Sequence, residues 1–132
     1  MSFFAKVKEI KTIDSLNIVE FDFCGITLKM MSLELNSDIT INKRVELLVK
    51  PTNLLISKSY IGDISLSNQI LAKIVSFEDG ELLSSLSLKA FDTYFESIIT
   101  KTSKVKLDLK ENDEVNILIK ASDLSILRVL HD

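Results

Sequence analysis

The chain has 132 residues, 46% hydrophobic and 27% charged, the balance of a globular rather than a disordered protein. That length makes one ordinary domain or two very small ones, and lobes of about 65 residues are marginal alone, so small cores imply shared surfaces or oligomerisation. The net charge of −3 is uneven, with eight basic against seven acidic residues in 1–62 and eight against twelve in 63–132; it lacks the basic footprint of a duplex nucleic-acid binder but admits a small anion held by local amides.

From the N-terminus, "FAKVKEI" (4–10) reads as a strand, and "NIVEFDF" (17–23) alternates with a period of two. Val19, Phe21 and Phe23 fall on one face and Ile18, Glu20 and Asp22 on the other. Cys24 is the only cysteine, which excludes an internal disulfide and a cysteine-based metal cluster; it is expected as a small buried hydrophobe on a strand. "SLELNSDI" (32–39) fits a single helical turn with Ser32 as its N-cap. Three glycines and one proline are few for a turn-rich chain, so Asn and Asp must make many turns, as in "DSLN", "EDGE" and "ENDE". Asn42 is expected where a turn needs a left-handed residue. In 45–50, Val45, Leu47 and Val49 oppose Glu46, Leu48 and Lys50.

The second half repeats the first. "LAKIVSF" (71–77) lies over "FAKVKEI" at an offset of 67, and "DLKENDEVNILIKASDLSILR" (108–128) over "DITINKRVELLVKPTNLLISK" (38–58) at an offset of 70. Three extra residues in the intervening loops reconcile the two. "LLSSLSLKA" (82–90) sets Leu82, Leu86, Leu88 and Ala90 against Leu83, Ser85, Ser87 and Lys89. "SKVKLDL" (103–109) fits a helical turn capped by Ser103, Asn112 matches Asn42, and Val115, Ile117 and Ile119 oppose Asn116, Leu118 and Lys120. The chain therefore reads as two tandem copies of one module, 1–62 and 63–132, each strand, strand, strand, short helix, strand. That order predicts an all-β protein of two small barrels of the oligonucleotide/oligosaccharide-binding (OB) type, each with one short helix.

Catalysis is poorly provided for. His131 is the only histidine and lies in the tail, which leaves no Ser-His-Asp arrangement. Glu78, Asp79 and Glu81 flank a glycine in what reads as a solvated hairpin turn, not a bare metal-cation site, and no phosphate loop or dinucleotide fingerprint occurs. A non-enzymatic protein without an organic cofactor is expected. Phe21 and Phe23 share the core-facing stripe, which disfavours a base-stacking platform and single-stranded nucleic acid. No stretch approaches 18 apolar residues and "MSFFAKVKEI" lacks a signal peptide's apolar region, so a cytoplasmic protein without membrane insertion is expected. What remains are polar strand ends: Ser65, Ser67 and Asn68, then Thr100 and Ser103, then Lys120 and Ser122. Hydroxyls and backbone N–H groups at such places are donors that an oxyanion needs, with a lysine for nearby charge; they are equally the residues that turns use.

"SLSNQILAKIVSFEDGELLSSLSL" (65–88) resembles the opening of the molybdate-binding module of molbindins, the Mop or TOBE domain, which typically reads Ser-Ala-Arg-Asn-Gln and then an apolar strand. "SIITKTSKVKLDLKENDEVNILIKASDL" (97–124) resembles the module's remainder: Thr-x-x-Ser entering a short helix, Gly-Asp-x-Val, a strand, then Lys-Ala-Ser/Thr. Copy one matches more faintly over 4–58. The resemblance implies OB-type barrels assembled around a threefold axis, a homotrimer for a two-module chain, and molybdate or tungstate bound at interfaces between modules. It implies oxyanion-binding roles for Ser65, Ser67, Asn68, Thr100, Ser103, Lys120, Ala121 and Ser122, with lesser contributions from Ser32, Lys50 and Thr52.

The departures from that pattern are specific. Ser67 stands where the family usually has Arg, and the opening motif of copy one would fall at or before Met1. Lys29 replaces the Thr of Thr-x-x-Ser although Ser32 remains, and Lys50-Pro51-Thr52 replaces Lys-Ala-Ser with a residue that has no N–H. Fewer sites than in a symmetric tandem are expected, and sites combining a copy-two opening with a copy-one closing stay open. The implied function is a non-catalytic molybdate/tungstate store; the alternative is a free-standing TOBE-type regulatory or structural module, working with a transporter or regulator, that has partly or fully lost oxyanion binding.

Overall fold

A computed structural model describes residues 1–59 and 62–131. Copy one supplies β1 (Ser2–Ile13), β2 (Leu16–Phe23), β3 (Ile26–Ser32), β4 (Arg44–Leu48) and β5 (Leu55–Ser57). Copy two supplies β6 (Asn68–Asp79), β7 (Leu83–Ala90), β8 (Thr93–Thr100), a short helix α1 (Lys101–Lys106), β9 (Glu114–Ile119) and β10 (Ser125–Val129). The protein is all-β, as the alternation predicts. A single 3-10 turn, Pro51–Asn53 or Ala121–Asp123, precedes β5 and β10; neither of these last strands was anticipated.

The copies obey one set of backbone rules. Both first strands bulge at the same place, between Val7 and Glu9 and between Ile74 and Ser76. Asn42 (φ 74°) and Asn112 (φ 71°) are left-handed, as expected. Each donates its N–H to the carbonyl before its bulge, Val7 and Ile74 respectively, at 2.8 Å. Cys24 departs from expectation: it is exposed at φ 50° in the β2–β3 hairpin beside Gly25 at φ 91°, a tight turn that needs two left-handed residues.

The strands form two five-stranded sheets, and each takes its last strand from the other copy. One runs β10-β4-β1-β2-β3 and the other β5-β9-β6-β7-β8. Leu55 and Ile56 pair with Leu118 and Ile117 of β9, while Ser125 and Ile126 pair with Leu48 and Leu47 of β4. The compact units accordingly follow a different division from the sequence repeat of 1–62 and 63–132. The first unit is Ser2–Val49 with the residues from Lys120 onward, and the second is Lys50–Ile119 with Met1.

Within the first unit, Phe3, Val7, Val19, Phe21, Phe23, Leu28, Val45 and Leu47 are buried, and the rings of Phe3 and Phe23 meet edge-on at 5.2 Å. Leu124, just after the 3-10 turn, joins them. On the outer face, Glu46 fixes the exchanged strand: it accepts from Ser2 Oγ of β1 at 2.6 Å and from Arg128 Nε of β10 at 2.6 Å. Those two bonds hold its carboxyl below the ordinary glutamate range. Within the second unit the core is Ile70, Ile74, Leu86, Leu88, Phe95, Val115 and Ile117, joined by Leu54. Burying Leu54 and Leu124 stabilises each unit by about 1.5–3 kcal/mol. Leu82, expected to face inward, is 80% exposed, and Ser84 takes the buried position with its hydroxyl on Asp79.

The exchange is testable by cross-linking. With Cys24 replaced by Ser, Leu55→Cys together with Leu118→Cys should oxidise to a disulfide within one chain, because the two are register partners in adjacent strands. A non-reducing gel that shows no intrachain bridge contradicts the exchanged pairing.

Candidate functional site

The polar strand ends divide between the units, and the exchange decides how. In the second unit, Ser65 and Ser67 are exposed in the segment before β6, and Asn68 is fully buried as the first residue of that strand. Thr100 closes β8 and is the N-cap of α1, its hydroxyl accepting from the Ser103 N–H at 3.2 Å. Ser103, expected as the cap, is instead the third residue of the helix. The Thr100 hydroxyl also donates to Ser103 Oγ at 2.9 Å, so two hydroxyls and one N–H sit together on an exposed turn. Copy one contributes its closing motif here. Lys50 and Thr52 are exposed at the 3-10 turn that packs against β8, and Ser97 Oγ of that strand donates to the Leu54 carbonyl at 2.7 Å.

In the first unit, Lys120 and Ser122 are exposed and Ala121 is half-buried at the 3-10 turn that packs against β3. Ser122 shares a cleft of about 570 Å³ with Ser32, Leu33, Glu34 and Asn36. Ser32 caps no helix, contrary to expectation: β3 runs through it, its hydroxyl binds the Glu34 backbone, and residues 33–37 are not helical. The strand register also corrects its supposed kinship with Ser103. Leu28 pairs with Phe21 as Phe95 pairs with Leu88, which keeps the offset of 67 through β3 and β8. Lys29 therefore corresponds to Glu96, and Leu33 to Thr100. The three additional residues of copy two lie between Thr100 and Asp108, where α1 forms; copy one has no such helix.

The structure thus joins Thr100 with Ser103, sets the Lys50–Thr52 turn on β8, and places Ser32 and Ser122 in one cleft. It assigns Lys120, Ala121 and Ser122 to a different unit from Ser65, Ser67, Asn68, Thr100 and Ser103.

Electrostatics differ between the two places. The first turn of α1 contains no acidic residue, and Lys104 and Lys106 lie in its last turn. Glu34 is among the residues that line the first-unit cleft beside its serines, and the negative charge of that residue opposes an anion. Two residues unremarked as site-builders support α1. Lys104 is buried, its Nζ 2.8 Å from Asp79 Oδ2. Lys58, on the chain just after β5, donates to the carbonyls of Leu107 and Asp108 at the helix C-terminal end, at 3.0 and 2.6 Å. The sequence carried no signal for either lysine, because this residue type is ordinarily solvated and the partners lie far away along the chain.

No protein-family model matches the sequence, and no curated protein matches it. Among solved structures, the cytoplasmic molybdate-binding protein ModG, determined with molybdate bound, superposes with a TM-score of 0.88 over 96% of this chain and 94% of its own, at 23% identity. The chain has the molbindin fold. A molybdate-binding protein from Sporomusa ovata matches 50% of this chain and 98% of its own, at 27% identity and a TM-score of 0.49. The ModG likeness spans both copies, so the two-module OB-type architecture extends over the whole chain. Among the described residues no helix is long and apolar enough to cross a membrane.

Asp79 is held below the ordinary aspartate value of 3.8, first by the hydrogen bond from Lys104 and then by that from Ser84. A carboxyl depressed on folding stabilises the protein above its unfolded pKa, and the contribution fades as pH falls through the folded value. Denaturant unfolding should find Asp79→Asn less stable than the parent at neutral pH, with the gap closing below pH 3.8. A gap that does not narrow in acid would show that the charge is not what stabilises.

Proposed function

We propose that the chain is a non-catalytic, cytoplasmic binding protein for a tetrahedral divalent oxyanion, molybdate or tungstate, acting in molybdenum storage and homeostasis as a homotrimer. The observation that carries the reading is the Thr100–Ser103 turn. Two hydroxyls 2.9 Å apart, those of Thr100 and Ser103, sit on an exposed turn whose first helical turn holds no acidic residue, with the Ser103 N–H bonded to the Thr100 hydroxyl oxygen as the cap. Oxyanions are well held by several neutral N–H and O–H donors, so a divalent oxyanion needs no arginine paired to it. The whole-length likeness to ModG, itself described as binding molybdate, supports the same ligand class.

In this reading Ser65 and Ser67 add donors from the segment entering β6, and the fully buried Asn68 fixes the end of that segment. Lys50 and Thr52 stand in for the usual closing motif, with Pro51 unable to donate. The intact closing motif, Lys120-Ala121-Ser122, belongs to the first unit and supplies charge and donors to sites completed by assembly. Lacking a helix and carrying Glu34, the first-unit cleft favours a second role there: a regulatory or structural module of TOBE type whose oxyanion binding is lost, available to a transporter or regulator. No organic cofactor enters either role.

Calorimetric titration with molybdate and tungstate, with sulfate as control, tests the proposal. Saturable heat with the two larger oxyanions is expected, and Ser103→Ala should weaken binding about tenfold, as for loss of a hydrogen bond to a charged group. No heat and no thermal stabilisation with either ion would overturn it.

A further inference from the structure

Lys104 is only 7% exposed, on a helix of six residues. A buried ammonium is costly unless paired. Its Nζ is 2.8 Å from Asp79 Oδ2 and 3.2 Å from the centroid of the Phe77 ring, so a carboxylate and an aromatic face replace its water. Asp79 is itself fixed, because its other oxygen accepts from the buried Ser84 hydroxyl at 2.7 Å. The chain Ser84–Asp79–Lys104 therefore runs from β7 through the end of β6 into α1. Lys104 directly follows Ser103, and a helix this short has no stability of its own.

Copy one is the internal control. At the offset of 67, Phe77, Asp79 and Ser84 become Ile10, Thr12 and Asn17. There the Thr12 hydroxyl donates to the Asn17 side chain at 2.7 Å and the Asn17 amide donates on to the Ser32 carbonyl at 3.2 Å, with neither an acid nor an aromatic ring at these three positions to hold an ammonium. The same copy is three residues shorter where α1 forms, and its residues 33–43 are not helical. Anchor and helix are lost together.

We propose that Lys104 is a positioning residue of the oxyanion site: its bond to Asp79, over the face of Phe77, sets the turn that aims the Thr100 and Ser103 donors. The inference rests on the reading of Thr100 and Ser103 as ligand-binding groups. Lys104 itself does not touch the ligand; its ammonium is directed into the protein.

The test compares the parent with Lys104→Met, Asp79→Asn and the double variant. Met keeps an unbranched stem that packs on Phe77 and supports a helix, and removes only the charge. Each single change should weaken molybdate binding about tenfold, as for loss of a group that orients ligand-holding residues, and the double should be no weaker than the poorer single. Amide hydrogen exchange of the ligand-free proteins supplies the discriminating readout. The Ser103 amide should exchange faster in the variants while Ile117, in the core of β9, keeps its protection. Unchanged molybdate affinity in both single variants overturns the proposal while leaving the oxyanion reading intact. Faster exchange at Ser103 and Ile117 alike overturns it too, since that is the mark of general destabilisation. If the parent takes up no molybdate, the oxyanion reading falls and this inference with it.

Discussion

Two pairings, β5 on β9 and β10 on β4, govern how the rest of the chain is used. Each sheet is completed by a strand from the other copy, and whatever precedes or follows that strand travels with it. Lys50-Pro51-Thr52 and Lys58 accompany β5 to the unit that contains α1, while Lys120-Ala121-Ser122 and Arg128 accompany β10 to the unit that lacks it. The basic residue beyond the strand shows the effect. At the offset of 70, Lys58 and Arg128 are counterparts, yet Lys58 binds carbonyls at the end of α1 and Arg128, with no α-helix among the described residues of its unit, binds Glu46. A tandem repeat has thereby become two unlike units, each assembled from parts of both copies.

The differences between the units are small in sequence and large in consequence. Three residues and one buried charge separate a helical turn with grouped donors from an extended segment beside an open cleft. In the second unit, an ammonium that would be unfavourable in a core is compensated from two sides, and a helix too short to persist is tied at both ends. In the first unit, the same strand ends carry Thr12 and Asn17, which bond each other and, through the Asn17 amide, the Ser32 carbonyl at the end of β3, with no buried charge among them. The distribution of charge follows: an acidic residue, Glu34, lines the cleft of the first unit, and the first turn of α1 has none.

Much of this was legible before any coordinates. The period-two stripes of Val19, Phe21, Phe23 and of Val45, Leu47, Val49 are the core, and Asn42 and Asn112 sit at left-handed turns, because alternation and turn chemistry are local properties. The exchange was not legible. β4 and β9 offer similar partners, "VELL" and "VNIL", to two similar closing strands, and pairing between distant strands leaves no trace in local pattern. Cys24 misled because burial is usual for the residue type, whereas here a two-residue hairpin set its place. Thr100 and Ser103 were named through a motif, and the structure brings the two together at the entry to α1. Ser32 was matched to Ser103 by spacing alone, and strand register, which spacing does not contain, separates them.

The claim at the centre of this account is that the surviving oxyanion donors are those at the entry to α1. Crystals grown with tungstate test it most directly, because tungsten scatters anomalously and locates itself. The account predicts an anomalous peak whose oxygens lie about 2.7–3.2 Å from Ser103 Oγ, beside Thr100 Oγ1. A peak confined to the Ser32–Ser122 cleft, or none at saturating tungstate, would contradict it.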